Sequence, residues 1–286
     1  MIPAATICSG IGAPETAMPH WDWTLGSEIE QAPRTVLMHR HGMEDASRSR
    51  RGTGAALWGD FTTIRVRHLR RLGIELPRFM IAGTPCQSYS IAGLRKSLDD
   101  ARGNLTLEFL RLAHSFRRAG VLAGFLWENV PGVLSTDDNA FGCFMAGIVG
   151  SDAPLRSPLQ RGRWPVAGMA DGPHGRLAWR VQDAQYHGLA QRRERVFLVA
   201  SFVDWLDPAA VLFERQGVHG NPPPRREAGQ GTTGTLSART EGGGGLGTDF
   251  DLAGGIAARP SLRGWQHQRS DRASRLPDRE GAEGGL

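Results

Sequence analysis

The chain passes from an apolar run to a polar turn at residues 79–90, which read FMIAGTPCQSYS. The first four residues predict a buried strand, because short continuous apolar runs are typical of strands covered on both faces. Pro85 fixes its own φ and favours extended backbone at Thr84, so the turn is held rigid. Because ligands bind at the carboxyl ends of strands in α/β folds, we expect Cys86 to face a cleft as a nucleophile. The alternative is a small buried hydrophobe, since free cysteines are usually inert.

Short apolar runs alternate with helical stretches along the rest of the chain, which predicts a doubly wound, Rossmann-like α/β sheet. Apolar residues at positions 105, 109, 112 and 116 recur at helical spacing and predict a crossover helix between two parallel strands. The predicted strands are residues 4–8, 23–27, 79–82, 125–127 and 195–201.

The composition is compatible with a polyanionic partner, since the net charge is +5 and the pI is about 9.8. The three cysteines, Cys8, Cys86 and Cys143, lie far apart. This spacing argues against a disulfide framework or a bound structural metal and implies a reduced cytoplasm. Because there is no long apolar run and no signal-peptide pattern, we expect neither membrane insertion nor secretion.

Three further motifs lie at the ends of predicted strands. Cys8-Ser9-Gly10-Ile11-Gly12 follows the first strand, Glu128-Asn129-Val130 follows the fourth, and Gln191-Arg192-Arg193-Glu194-Arg195 leads into the fifth. Together with Pro85-Cys86-Gln87, and in this order, they resemble the motifs of the phage and bacterial DNA (cytosine-5) methyltransferases. The resemblance runs from about residue 4 to residue 201.

An S-adenosyl-L-methionine site is the first consequence of this resemblance. Gly10 and Gly12 allow close approach of backbone to a ligand, and Glu28 is placed to accept hydrogen bonds from ribose hydroxyls. The alternative for Glu28 is a solvated side chain near an ordinary turn. The resemblance implies that Asp60 contacts the adenine amino group and that Phe61 lies beside the ring. It also implies further pocket residues, which are Cys8, Ile11, Ile29, Pro85 and Leu105, with Cys8 replacing the family's usual aromatic.

The catalytic side chains follow from the chemistry of cytosine. Carbon 5 is a poor nucleophile until a thiolate adds to carbon 6, and the resemblance assigns that thiolate to Cys86. Glu128 would hydrogen-bond ring nitrogen 3 and the exocyclic amine. Arg193 would contact the pyrimidine carbonyl oxygen, and Arg195 would orient Glu128 through charge-assisted hydrogen bonds. Asn129 is interpreted as a scaffold residue that holds the glutamate.

A base inside a duplex must be flipped out before a side chain can attack its ring. Residues 88–104 are polar and resemble the catalytic loop of the family, which would close over the flipped base. The alternative is an ordinary exposed loop. The side chains expected to contact DNA are Ser88, Arg95, Lys96 and Arg102.

The composition changes beyond residue 201, where a proline run at 222–224 and a glycine run at 242–245 predict a loop-rich region. We predict a catalytic domain at 1–205, a partial target-recognition region at 206–256 and a disordered or replaced tail at 257–286. The tail contains no Val, Ile, Met or Phe, so it has little apolar surface to offset the entropy of ordering. The closing helix of the family is not recognised there, and a complementing chain could supply it.

The sequence therefore predicts a restriction-modification type enzyme that methylates carbon 5 of cytosine in double-stranded DNA. One alternative is a transfer RNA cytosine-5 methyltransferase, because relatives of the family use the same motifs on RNA. Another is a truncated, non-catalytic DNA-binding remnant. A cysteine hydrolase fits less well, since no histidine accompanies Cys86 in a recognisable partner motif.

Overall fold

The centre of the fold is a nine-stranded sheet, seen in a computed structural model that describes residues 1–47, 54–85, 105–159, 162–188 and 190–213. The strands are β1 (Pro3–Ile7), β2 (Asp22–Ser27), β3 (Glu44–Asp45), β4 (Ala56–Trp58), β5 (Phe79–Ala82), β6 (Gly124–Asn129), β7 (Ala167–Gly172), β8 (Gly175–Asp183) and β9 (Glu194–Ser201). The helices are α1 (Ala13–Ala17), α2 (Gln31–His41), α3 (Val66–Leu72), α4 (Leu105–Arg118), α5 (Ala140–Val149) and α6 (Pro208–Leu212).

The strand order is β3-β4-β2-β1-β5-β6-β9-β8-β7. Neighbours from β3 to β6 pair in parallel, whereas β9, β8 and β7 add to the sheet antiparallel. The chain starts at β1, passes through β2 to the edge strand β3, places β4 between β3 and β2, and then returns to β5 on the other side of β1. This reversal creates a crevice at the carboxyl ends of β1 and β5, where doubly wound folds bind ligands. The predicted fold class is confirmed.

The five predicted strands correspond to β1, β2, β5, β6 and β9, and the predicted crossover helix is α4. The β7–β8 hairpin has no counterpart among the predictions. Its first strand reads AGMADG, which lacks the β-branched and aromatic residues that favour strands. A Cβ atom at Gly168 would lie 2.3 Å from the Trp179 ring, so glycine is needed for the indole to cross β7.

Apolar side chains cover both faces of the sheet. On one face α4 and α5 enclose an aromatic core in which Phe109 packs edge-on against Phe125, with ring centroids 5.0 Å apart. On the other face Trp21 packs edge-on against Phe79 at 5.4 Å. Full burial of each such side chain stabilises the fold by roughly 1.5–3 kcal/mol. Within the described ranges, no helix is long and apolar enough to cross a membrane.

The described part of the predicted recognition region, residues 206–213, packs on the sheet through Leu206 and Leu212. The remainder of that region, 214–256, and the predicted tail, 257–286, lie outside the described residues.

His114 is the one strongly perturbed histidine of the described core. Its side chain is 5% exposed, and Nε2 lies 3.0 Å from the carbonyl oxygen of Gly147. Burial, followed by the charges of Arg117, His174 and Arg118, lowers the pKa of His114 to about 4, although the hydrogen bond to Gly147 opposes this. The ring is therefore neutral at physiological pH.

We expect this histidine to make the protein sensitive to mild acid. The unfolded chain takes up a proton near pH 6.5, whereas the folded protein resists it until about pH 4. The contribution of His114 to the free energy of unfolding should therefore fall by about 3 kcal/mol as the pH is lowered over that interval, and it should level off below pH 4. Urea unfolding at a series of pH values measures the loss. His114→Gln should remove this component, whereas His20→Gln, at an exposed position, should retain it. An unchanged pH profile in His114→Gln would contradict the assignment.

Candidate active site

A cavity of about 1300 Å³ opens at the carboxyl edge of the sheet, beside the point where the chain reverses. The loops after β1, β2, β4 and β5 meet there. Seven of the ten predicted cofactor residues line it, namely Cys8, Glu28, Ile29, Asp60, Phe61, Pro85 and Leu105. The fold thus gathers residues that are far apart in the sequence into one cleft.

The remaining three predicted cofactor residues belong to the loop after β1. Gly10 and Gly12 have left-handed φ values of 56° and 86°, and Ile11 is 65% exposed. A Cβ atom at Gly12 would lie 2.4 Å from Nε2 of His41. The left-handed φ favours glycine at position 12, which also packs against His41 at the end of α2. Close approach of this loop to a ligand stays a prediction.

Glu28 fastens this glycine loop to the end of β2. Its Oε2 accepts a hydrogen bond from the Gly10 N–H at 2.8 Å, and its Oε1 accepts from the N–H groups of Ile29 and Glu30. An ionised carboxylate offers about four acceptor positions. Three are used by backbone groups, which leaves room for a ribose hydroxyl as well.

Cys8 ends β1 with a φ of 55°, a left-handed conformation that is strained for a residue with a side chain. Burial raises the pKa of its thiol to about 12, and the charges of Glu28 and Asp60 add to the rise. Cys8 is therefore a neutral thiol that lines the cavity, and thiols are poor nucleophiles.

Asp60 and Phe61 both line the cavity but differ in their exposure to solvent. Asp60 is exposed, and its Oδ1 caps the following 3-10 turn by accepting a hydrogen bond from the Thr62 N–H at 2.9 Å. Phe61 is only 4% exposed because its ring packs into the aromatic core. The carboxylate is thus more accessible to a ligand than the ring.

The turn that leads to Cys86 is fixed by three contacts to Thr84. Trp127 donates from Nε1 to the Thr84 hydroxyl at 2.8 Å, and Thr106 shares a hydrogen bond with the same hydroxyl at 2.9 Å. Asn129 donates from Nδ2 to the Thr84 carbonyl oxygen at 3.0 Å. Asn129 is therefore a scaffold for the turn as well as a neighbour of Glu128. Cys86, Ser88, Arg95, Lys96 and Arg102 lie outside the described residues.

Glu128 and Arg195 form an ion pair beside this turn. Arg195 Nε lies 2.8 Å from Glu128 Oε1, and both side chains are partly exposed. A Cβ atom at Gly83 would lie 3.4 Å from Glu128 Oε2, so the carboxylate passes over the backbone two residues before Pro85. Arg193 does not share this position. The Arg193 side chain is exposed, and the backbone N–H of this residue donates a hydrogen bond to Asp183 Oδ1 at 2.9 Å.

Glu15 is a buried carboxyl in the first turn of α1. Glu15 is 4% exposed, and its Oε1 accepts a hydrogen bond from Thr6 Oγ1 at 2.6 Å. Thr6 is in turn 2.6 Å from Ser9 Oγ, which connects the carboxyl to the loop after β1. None of the described residues hydrogen-bonds Glu15 Oε2. Burial raises the pKa of this carboxyl, although the bond from Thr6 opposes the rise.

We expect Glu15 to weaken the fold as pH rises. The pKa of Glu15 is higher in the folded protein than in the unfolded chain. The stability that this carboxyl contributes is therefore complete below the unfolded pKa and is lost as pH rises through the folded pKa. Glu15→Gln keeps a neutral acceptor for Thr6 at every pH, so its thermal midpoint should fall less than that of the parent between about pH 4 and pH 8. Thermal unfolding across this range measures the difference. Glu75→Gln, at an exposed carboxylate, serves as the control and should behave as the parent does.

Comparison with known proteins adds an independent observation. Residues 54–145, which run from before β4 into α5, match the family of C-5 cytosine-specific DNA methylases. The predicted resemblance to the DNA (cytosine-5) methyltransferases is confirmed.

Individual relatives extend the match over more of the chain. A DNA N-6-adenine-methyltransferase of Escherichia phage P1 is 42% identical over 255 residues, which cover 78% of this chain and 31% of the relative. The Type II methyltransferase M.AquIA of Picosynechococcus sp. is 27% identical over 202 residues, covering 68% of this chain and 70% of the relative. This chain therefore spans about a third of the phage relative's length. A solved Spodoptera frugiperda DNMT2 mutant is 14% identical with a TM-score of 0.48, covering 79% of this chain and 56% of that one.

Several cavity residues were not predicted from the sequence. Among them are the basic side chains Arg65, Arg67, His68 and Arg111. The signal available in the sequence is the run of basic residues at 65–71, which belongs to no recognised motif.

Proposed function

We propose that this chain transfers a methyl group from S-adenosyl-L-methionine to carbon 5 of cytosine in double-stranded DNA. The observation that carries the proposal is the Glu128–Arg195 pair, which lies over Gly83 beside the anchored turn preceding Cys86. A positioned carboxyl and a rigid turn leading to a thiol are the two groups that covalent activation of a pyrimidine requires.

The cavity fits S-adenosyl-L-methionine, which would supply the methyl group as a sulfonium. The remaining acceptor position of Glu28 suits a ribose hydroxyl, and Asp60 offers an exposed carboxylate to an adenine amino group. Ile29, which is 68% exposed, and Leu105 provide apolar surface on the same cavity. These side chains would bind and orient the cofactor.

The proposed reaction begins when the Cys86 sulfur bonds to carbon 6 of a flipped cytosine. Glu128, oriented by Arg195, hydrogen-bonds ring nitrogen 3 and the exocyclic amine, so that electron density moves to carbon 5. Carbon 5 would then take the methyl group from the cofactor's sulfonium, whose sulfur would keep the electron pair of the broken carbon–sulfur bond. Loss of the carbon 5 proton to solvent and departure of the Cys86 sulfur from carbon 6 as a thiolate would restore the aromatic ring.

The other two cysteines are poor candidates for this role. Burial raises the pKa of Cys8 to about 12 and also raises that of Cys143, which lies 4% exposed within α5. Both therefore remain thiols at neutral pH, whereas the nucleophile must be a thiolate. This contrast favours Cys86 as the reactive cysteine.

Adenine is the second candidate base, because the phage P1 relative is named an N-6-adenine methyltransferase. An exocyclic amine carries its own lone pair and needs no thiol for activation. The Glu128–Arg195 pair and the fixed turn before Cys86 therefore favour cytosine.

Mutation of the thiol tests both parts of the proposal. Cys86→Ser should lower methyl transfer to DNA by at least a hundredfold, because a hydroxyl is far less acidic and less nucleophilic than a thiol. Transfer from labelled cofactor to genomic DNA, followed by mass spectrometry of the nucleosides, measures both the rate and the modified base.

The matched control is Cys143→Ala, which removes a thiol remote from the cavity lining and should retain the parent's rate. The expected product is 5-methylcytosine. N-6-methyladenine as the product, formed equally well by Cys86→Ser, would replace the cytosine mechanism with direct transfer to the amine.

A further inference from the structure

Both acidic and basic side chains line the cavity. The acidic ones are Glu28, Glu30, Asp60 and Glu108, and a second group lines the same cavity with basic side chains. We name this second group the basic rim. It consists of Arg65, Arg67, His68 and Arg111.

Most of the charge of the basic rim is not neutralised by neighbouring residues. Residues 61–72 read FTTIRVRHLRRL, with four arginines, one histidine and no acidic residue. Arg65 and Arg67 are exposed, and no carboxylate among the described residues forms an ion pair with either. Arg111 differs, because its Nε lies 2.7 Å from Glu108 Oε2. The rim therefore carries a net positive charge.

Backbone carbonyl groups hold two of these guanidinium groups in place. Arg65 donates from Nη1 to the carbonyl oxygens of Thr62 at 2.6 Å and Ile64 at 2.9 Å. Arg111 donates from Nη2 to the same Thr62 oxygen at 3.0 Å. One oxygen atom thus keeps two positive groups side by side, an arrangement that an anion would stabilise. Since the side chain of Arg65 is already ordered, less entropy is lost when it binds that anion.

S-adenosyl-L-methionine does not match this surface, because its sulfonium and ammonium groups outweigh its one carboxylate and leave it with a net positive charge. Duplex DNA does match it, since a phosphate recurs about every 1.7 Å along the helix axis. Pro85, the residue before Cys86, lines the same cavity. A strand whose base reaches Cys86 must therefore pass near the rim.

We propose that Arg65, Arg67 and His68 bind backbone phosphates of the DNA strand that carries the target base. This inference rests on the proposed function, and it adds a DNA-binding surface on α3 and the turn before it. Contacts of this kind position the strand without reading its sequence, so they should contribute affinity equally to all DNA sequences.

The test compares two double variants of the full chain. R65Q/R67Q removes two rim charges, whereas R70Q/R71Q removes two exposed charges from the same helix that do not line the cavity. Binding to a fluorescently labelled duplex is measured between about 50 and 200 mM salt. The slope of log affinity against log salt should fall in magnitude by about two for R65Q/R67Q and stay at the parent's value for R70Q/R71Q.

A single variant separates the loss of charge from the loss of the hydrogen bonds that Arg65 donates to the backbone. Arg67 is exposed and contacts the adjacent His68, so Arg67→Gln should leave the thermal midpoint unchanged and reduce the slope by about one. Cofactor affinity, measured by calorimetry, should be unchanged in all three variants.

Three outcomes would overturn the inference. Equal slope changes in the two double variants would show diffuse attraction to the helix, and weaker cofactor binding with an unchanged slope would assign the rim to the cofactor. An unchanged slope and unchanged cofactor binding would leave the rim without either role. If the parent protein shows no salt-dependent DNA binding, the DNA function itself fails, and that result is distinguishable from a failure of the rim alone.

Discussion

The hydrogen bond from the Trp127 indole to the Thr84 hydroxyl connects the core of this protein to its site. The Trp127 ring is fully buried, and a buried indole N–H needs an acceptor. Thr84 provides that acceptor at the end of β5. The same hydroxyl contacts Thr106 at the start of α4. The packing of the aromatic core therefore determines where the turn toward Cys86 begins, and a change in the core would move the site.

Strand β6 performs two functions because its side chains alternate between the faces of the sheet. Trp127 and Asn129 point toward the Thr84 anchor, where one bonds the hydroxyl and the other the carbonyl oxygen. Glu128, between them, points to the opposite face and meets Arg195 from the neighbouring antiparallel strand. A rigid anchor and a positioned carboxyl thus come from three consecutive residues. The antiparallel addition of β9 is what brings Arg195 to the carboxyl end of β6.

The sequence was sufficient to predict the parts of the fold that consist of continuous apolar runs. Strand β5 and most of β9 are such runs, whereas four of the six residues of β7 are glycine or alanine, which do not favour a strand. Motif resemblance likewise placed Glu28 and Asp60 at the cavity. It did not reveal that backbone N–H groups bind three of the acceptor positions of Glu28, nor that Gly12 packs against His41. Those features depend on the approach of elements distant in the chain, which local patterns do not contain.

The charges that line the cavity bear on which cysteine of the chain can act as a nucleophile. On the acidic side, Glu28 and Asp60 oppose ionisation of Cys8, which burial already keeps neutral. Cys86 follows Pro85, which lines the cavity together with the basic rim. Positive charge stabilises a thiolate, so the arginines of the basic rim would favour ionisation of a cysteine near them. Under the proposed function, the acidic side chains of the cavity would attract the positively charged cofactor, and the basic rim would attract the negatively charged strand.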